Sequence, residues 1–340
     1  MYSKEKVSKM LPEKMKNDSI LEISKIDEGI ELEIHVKLFE NNDVIIKVHE
    51  TDWYDSNRGF LAGPHLMSKL SKKDSRIPIP EVYKIVESDE VSSKPYYVME
   101  YIEDSGVTLD QMDEKKKKEL LRNAGKYLAM INNLDIDIQG VGYVKYQDEV
   151  LEGESETISD FITNRIRQFS EDIEDGGFSL DERNEEDTKF YDKVSEINHI
   201  SDYTEDNNIL ECTEPSYCHW DYKRDNMLIQ DSEIIGIIDW ENPIVCDRLY
   251  NLARAEEKFL RFDGKVQNRF LEEFQNSYCE HSDSDININN KKMTVYRILP
   301  IIEAMRNFNA WFRDYSSKEK DKFERLYRTR FDKFYNVLLG

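Results

Sequence analysis

The chain has 340 residues, 39% of them hydrophobic and 11% aromatic, which argues for a packed protein of two domains or two lobes and against a disordered one. Lysine and arginine number 47 against 70 aspartates and glutamates, a net charge of −23 that disfavours nucleic acid or an anionic membrane as partner. The acidity fits either a solvated surface, as in a high-salt cytoplasm, or a cationic substrate.

Cys212, Cys218, Cys246 and Cys279 show neither CxxC nor zinc spacing, so free thiols in a reducing compartment are expected. The N-terminus, MYSKEKVSKMLPEKMKND, has no apolar signal core, and no run is long enough to span a bilayer. The expectation is a soluble cytoplasmic protein with no membrane and no nucleic-acid partner.

Residues 1–18 read as a short polar helix or a loose lead-in. Ile30–Leu38 alternates apolar and polar, and Val44–His49 follows the turn cluster Asn41-Asn42-Asp43, so two antiparallel strands are predicted. Leu61, Leu66, Met67 and Leu70 give residues 57–73 a helical spacing, with Pro64 either in a first turn or breaking the helix. After the extended Ile77-Pro-Ile-Pro, residues 81–88 and 96–102 read as two more strands. The polar stretch Glu103–Gly106 marks a boundary, giving a small antiparallel sheet with one helix over 1–102.

The remainder, 103–340, is predicted to be mainly helical with one short strand pair. Helices are expected over 114–134, 156–170, 186–199, 250–262, 266–278, 293–312 and 318–339. The acidic patch 171–187, containing Gly176-Gly177, reads as a solvated loop.

The chemistry concentrates at 218–251. His219-Trp220-Asp221 precedes Asn226 by a few residues. The turn Gln230-Asp231-Ser232 then joins Met227-Leu-Ile to Ile234–Ile238, an apolar run ending on Asp239. A strand delivering one carboxylate beside a loop carrying a carboxylate and an amide suits a magnesium–phosphate site, because magnesium takes hard oxygen ligands. An HxDxxxxN string alone arises by chance; the hairpin that follows makes it informative.

HWDYKRDN followed by IIDWE resembles the aminoglycoside phosphotransferase and choline kinase superfamily, whose usual strings are H-G-D-x-x-x-x-N, I-D-W-E and G-D-P-x-x-D-L-A. The resemblance implies an α+β, two-lobed protein-kinase-like fold, with a small antiparallel β-sheet N-lobe (1–102) and a larger α-helical C-lobe (103–340). It implies a small-molecule kinase using ATP and Mg2+, with a small-molecule acceptor such as an amino sugar, an amine alcohol or another metabolite, cationic if the acidity extends to the site. Asp221 resembles the catalytic base, and Asn226 and Asp239 the magnesium ligands. His219 resembles the buttress of the catalytic loop, and Asp247 the aspartate of G-D-P. Lys47, in V-I-I-K, resembles the lysine on the α- and β-phosphates. Val98–Ile102 resembles the hinge, where the Glu100 carbonyl and the Ile102 amide would face the adenine edge. Lys223 is either a cation for the transferring phosphate or an exposed loop lysine. Trp240 serves packing or the site itself.

The chain also departs from the pattern. Trp220 replaces the usual glycine, Cys246-Asp247-Arg248 stands for G-D-P, and Asn251 replaces an aspartate. The glycine-rich loop is reduced to Gly29. The 57–73 helix has no glutamate to pair with Lys47, and Gly63 falls near its place; the partner is missing or comes from elsewhere. A nucleotide-binding pseudokinase is therefore the alternative reading. A protein kinase fits less well, because Trp240 stands in place of Phe-Gly and no A-P-E is present.

Overall fold

A computed structural model describes residues 2–28, 31–50, 57–176, 189–211, 213–263 and 268–340. Gly29, Gly177 and Cys212 lie outside them. The first helix, α1 (Lys4–Met10), is capped by Ser3, whose hydroxyl accepts from the Lys6 amide at 3.2 Å. It is no loose lead-in. Val7, Met10, Leu11 and Met15 are buried in one core with the strands that follow, and only the outer face is charged.

Strand β1 (Ile20–Glu28) has no clean alternation to announce it. Its pairing with β2 (Glu31–Leu38) shifts register between Ile20 and Glu22 and again between Lys25 and Asp27, and each shift turns the following side chains to the other face. Strand β3 (Val44–His49) pairs with β2 and is buried along its whole length. Helix α2 (Asn57–Lys73) runs through Pro64 without ending, although that residue supplies no backbone donor. Strands β4 (Val82–Val86) and β5 (Tyr96–Glu100) complete a five-stranded antiparallel sheet in the order β1-β2-β3-β5-β4.

Helix α3 (Glu114–Asn132) follows, and then a hairpin of β6 (Val141–Gln147) and β7 (Val150–Ser155). That hairpin lacked a sequence signal because Asp148 and Glu149 turn it with φ of 51° and 66°, where asparagine or glycine is usual. Helices α4 (Ile158–Glu174) and α5 (Val194–Asp206) come next. The acidic patch is thus partly helical at 171–174, 177–188 are not described, and α5 starts later than predicted. The chain continues through β8 (Pro215–Cys218), β9 (Met227–Gln230), β10 (Glu233–Ile237) and β11 (Ile244–Asp247). It closes with α6 (Arg248–Asp263), α7 (Asn268–His281), α8 (Lys291–Arg306), α9 (Phe308–Trp311) and α10 (Ser317–Leu339). Beside the expected strand pair β9–β10 stands a four-stranded sheet, β7-β6-β11-β8, that the sequence did not predict.

The architecture is α+β, with antiparallel sheet near the N-terminus and helices dominating later. Two compact units form: 1–154, 216–245 and 265–283; and 155–215, 246–264 and 284–340. In the first, α3 packs along α7; in the second, α8 packs on α4, α6 and α10. Among the described residues, Cys218, Cys246 and Cys279 are not in disulfides, and no helix is long and apolar enough to cross a membrane.

Candidate active site

The β9–β10 hairpin turns on Asp231 and Ser232, both left-handed at φ 50° and 73°, with Gln230 opposite Glu233. Its return strand leads into Asp239, itself at φ 66°. A non-glycine residue in that region is held there by its surroundings. The Ile238 amide donates to the Asn226 carbonyl at 3.0 Å, and His219 Nε2 donates to the Ile238 carbonyl at 2.9 Å. The loop after β8 is thereby fastened to the strand that carries Asp239.

His219 is buried, and its Nδ1 accepts from the Asp221 amide at 3.2 Å. Accepting at Nδ1 and donating at Nε2 defines one neutral tautomer. Burial also holds its imidazole below the usual value. The ring sits 4.5 Å from the buried Trp240 ring, whose Nε1 donates to the Ile237 carbonyl at 2.8 Å.

Asn226 gathers the two aspartates. Its Nδ2 lies 2.9 Å from the Asp221 carbonyl, 3.2 Å from Asp221 Oδ2 and 3.1 Å from Asp239 Oδ2. Lys223 Nζ lies 2.5 Å from Asp221 Oδ2. Burial, and then the Glu241 charge, push the Asp239 carboxyl above its usual range.

Lys47 is 4% exposed and has acidic partners other than one on α2. Its Nζ lies 2.7 Å from Glu33 Oε1, contacts Glu241 Oε1 directly, and stands 3.8 Å from Asp239 Oδ1. Glu33 is its cross-strand partner on β2, which places the two side chains on one face.

Glu33, Lys47, Asn226, Asp239 and Glu241 line one cavity of about 540 Å3, and His219, Asp221 and Lys223 are not among its lining residues. Ile26, Ile45, Leu228 and Ile238 supply apolar surface, while Glu33, Lys47, Asn226, Asp239 and Glu241 supply the polar part. Met99 and residues 100–102 form another stretch of its wall. The Glu100 amide donates to Glu81 and the Tyr101 amide to Asp43. The Glu100 side chain turns toward Glu81, whose amide donates to its Oε2 at 3.2 Å.

Asp247 belongs to the second unit. It is buried at the start of α6, where its Oδ1 accepts from the Leu249 amide at 2.7 Å, and burial pushes its carboxyl up. Several supporting residues carried no sequence signal. Asp104 Oδ1 accepts from the Ile229 amide at 2.6 Å, and Ser105 donates to the Ile229 carbonyl at 2.9 Å, tying the 103–105 connector to β9. Arg224 donates to the Met227 carbonyl at 2.8 Å and to the Val107 carbonyl. Glu33 was legible in principle, since a symmetric β2–β3 hairpin sets it opposite Lys47.

The family model described as phosphotransferase enzyme family matches residues 23–286. No curated protein matches in a sequence comparison. Solved structures do share the fold. The aminoglycoside phosphotransferase APH(4)-Ia is 17% identical, with 99% of this chain and 100% of that chain covered and a TM-score of 0.67. A protein from Thermobifida fusca assigned as a fructosamine-3-kinase is 16% identical, with 95% and 94% covered and a TM-score of 0.62. APH(2")-IIa, solved as a ternary complex with streptomycin and ATP, is 14% identical, with 98% and 96% covered and a TM-score of 0.59.

Proposed function

We propose that this chain, which belongs to the phosphotransferase enzyme family and is a small-molecule phosphotransferase, moves the γ-phosphate of ATP to a hydroxyl of a small, amine-bearing acceptor, in a magnesium-dependent reaction. One observation carries the reading: a single amide, Asn226 Nδ2, holds the carboxylates of Asp221 and Asp239 together in the unit that also holds Lys47. That unit supplies a base, hard oxygen ligands and a phosphate-binding cation, the few groups phosphoryl transfer asks of a protein.

Asp221 accepts the proton of the acceptor hydroxyl as its oxygen bonds to the γ-phosphorus. The bond from that phosphorus to the β–γ bridging oxygen breaks, and ADP leaves. Lys47 holds the α- and β-phosphates, and Lys223 offsets charge on the group in transit. Asn226 Oδ1 and the Asp239 carboxylate fit magnesium: both are hard oxygens, and Asp239 sits among acidic groups whose mutual repulsion a cation relieves. Magnesium, when bound, neutralises charge on the phosphates. His219 positions the Asp221 backbone, and Asp247 caps α6. Residues 1–102 are read as the nucleotide-covering lobe, with the Glu100 carbonyl and the Ile102 amide on the adenine edge. Residues 103–340 carry the catalytic loop and acceptor site.

The amine on the acceptor is inferred from the net charge of −23, which suits a cationic ligand, and from the streptomycin in the complex of one enzyme of the same fold. The test is ATP turnover with magnesium against amino sugars, amine alcohols and sugar alcohols, with Asp221→Ala as control. Transfer to an amine-bearing acceptor, abolished by Asp221→Ala, is expected. If MgATP binds but no acceptor is phosphorylated, and Asp221→Ala changes nothing, the chain is a nucleotide-binding regulator.

A further inference from the structure

We propose that Glu33 and Glu241 jointly position Lys47, replacing a helix glutamate, and that Gly63 on α2 is what brings Glu241 within reach. The inference rests on reading the cavity as an ATP site.

A nearly buried ammonium needs a carboxylate to remain charged and in place. Helix α2 has none to offer: its sequence, NRGFLAGPHLMSKLSKK, contains no acid. The acids come from two other directions. Glu33 faces Lys47 across β2 and β3, and Glu241 follows Asp239 by two residues.

Glu241 reaches Lys47 because the 240–242 segment lies against α2. A Cβ on Gly63 would stand 2.8 Å from the Trp240 carbonyl oxygen and 3.2 Å from its carbon, so one of them would have to move. A Cβ on Gly59 would stand 3.2 Å from Asn242 Oδ1. Positions 59 and 63 are one turn apart and share a helix face; at 63 the neighbour is backbone and only glycine leaves the approach open, while at 59 it is a side-chain end that can shift. Asp239 and Asn242, at φ 66° and 54°, bend the segment on either side of Trp240 and Glu241. A glutamate at 63 and the present course of Trp240 exclude each other. The glycine near the place of the usual glutamate is therefore one half of an exchange, and Glu241 is the other.

Two carboxylates on one ammonium make each partly redundant. Removing one leaves Lys47 held by the other; removing both leaves it, of these three carboxylates, only Asp239 at 3.8 Å, and loosens its hold on the phosphates. The energetic signature is strong non-additivity, which contacting residues show and independent ones do not. These are positioning residues, so binding of a phosphate-bearing ligand should suffer while binding of the base does not.

The experiment is calorimetric titration of the full chain with MgADP and, separately, with adenosine. The variants are Glu33→Gln, Glu241→Gln, the double Glu33→Gln/Glu241→Gln, and Glu33→Gln/Gly63→Ala. Each single change should weaken MgADP by no more than about threefold, and either double by roughly thirtyfold, within the range of coupling between residues in contact. Adenosine binding should stay as in the wild type throughout. The Gly63→Ala double leaves both residues 241 and 47 chemically intact, so its loss of MgADP affinity beyond that of Glu33→Gln would arise from displacement. MgADP affinity in both doubles within threefold of wild type would overturn the inference. So would additive effects of the singles, or loss of adenosine together with MgADP, which would make the acids supports of the fold. Failure of the wild type itself to bind MgADP would instead sink the ATP reading.

Discussion

Asn226 Nδ2 lies 3.1 Å from Asp239 Oδ2, and the same nitrogen reaches Asp221 Oδ2 at 3.2 Å. With its nitrogen committed on that side, the amide presents its oxygen elsewhere. One side chain thus sets the spacing of the two carboxylates and the direction of its own carbonyl. Replacing it by alanine removes both functions at once. Asn226→Ala should lower kcat by roughly a hundredfold, the scale expected when reacting groups shift by about an ångström. Circular dichroism should remain that of the wild type. Steady-state phosphate transfer checks this, and a kcat within threefold of wild type would show that the amide is a bystander.

Charge around Lys47 and the loop after β8 has a consequence for metal dependence. Glu33, Asp221, Asp239 and Glu241 bring four carboxylates, against the two ammonium groups of Lys47 and Lys223. A triphosphate entering this field meets net negative charge at short range, where screening by salt is weak. Nucleotide binding should therefore need a divalent cation. Chelation should abolish ATP binding and leave adenosine binding unchanged, and added magnesium should restore it. Equal ATP affinity with and without chelator, measured by calorimetry, would remove magnesium from the site.

The β9–β10 hairpin was readable because its determinants are local. Asp221, Asn226 and Asp239 fall within nineteen positions, and the turn at 231–232 fixes how the strand returns. The clamp on Lys47 was less readable, because Glu241 reaches it across a sequence separation of 194. No periodicity reports a contact of that kind. The absence of an acid on α2 was legible, but its meaning was not, since the complementary fact is the course of the Trp240 backbone past Gly63. Strand β1 was hidden by its register shifts, and the β6–β7 hairpin by a turn made of Asp148 and Glu149. In each case tertiary surroundings overrode a local rule.

His219 joins two backbone groups that have few other ways to be satisfied. It donates to the Ile238 carbonyl and accepts from the Asp221 amide while 1% exposed. Phenylalanine fills similar volume and offers neither interaction. His219→Phe should cost about 1–3 kcal/mol for each polar group left buried without a partner. It should also reduce turnover, because the Asp221 backbone loses its anchor. Urea denaturation gives the first number and phosphate transfer the second. Unchanged stability would mean that water reaches the Ile238 carbonyl.

The second unit offers a test of pH dependence through a buried ion pair. Glu303 is 6% exposed, and Arg254 Nη1 lies 2.6 Å from its Oε2. Burial acts to raise its carboxyl, but the charges of Arg254 and Lys258 outweigh burial and hold it below the usual glutamate value. The unfolded chain therefore takes up this proton at a higher pH than the folded one. The stability contributed by Glu303 is complete above the unfolded value, near 4.5, and is lost as pH falls through the lower folded value. Glu303→Gln removes the charge and leaves Arg254 without this carboxylate. It should cost about 3–5 kcal/mol at pH 7, the usual range for breaking a buried pair from one side. It should also flatten the decline in stability below pH 4.5. Denaturation of both forms in steps from pH 7 to pH 3 separates the two effects: a parallel decline in wild type and variant would mean that Glu303 titrates in the folded protein as it does in the unfolded chain.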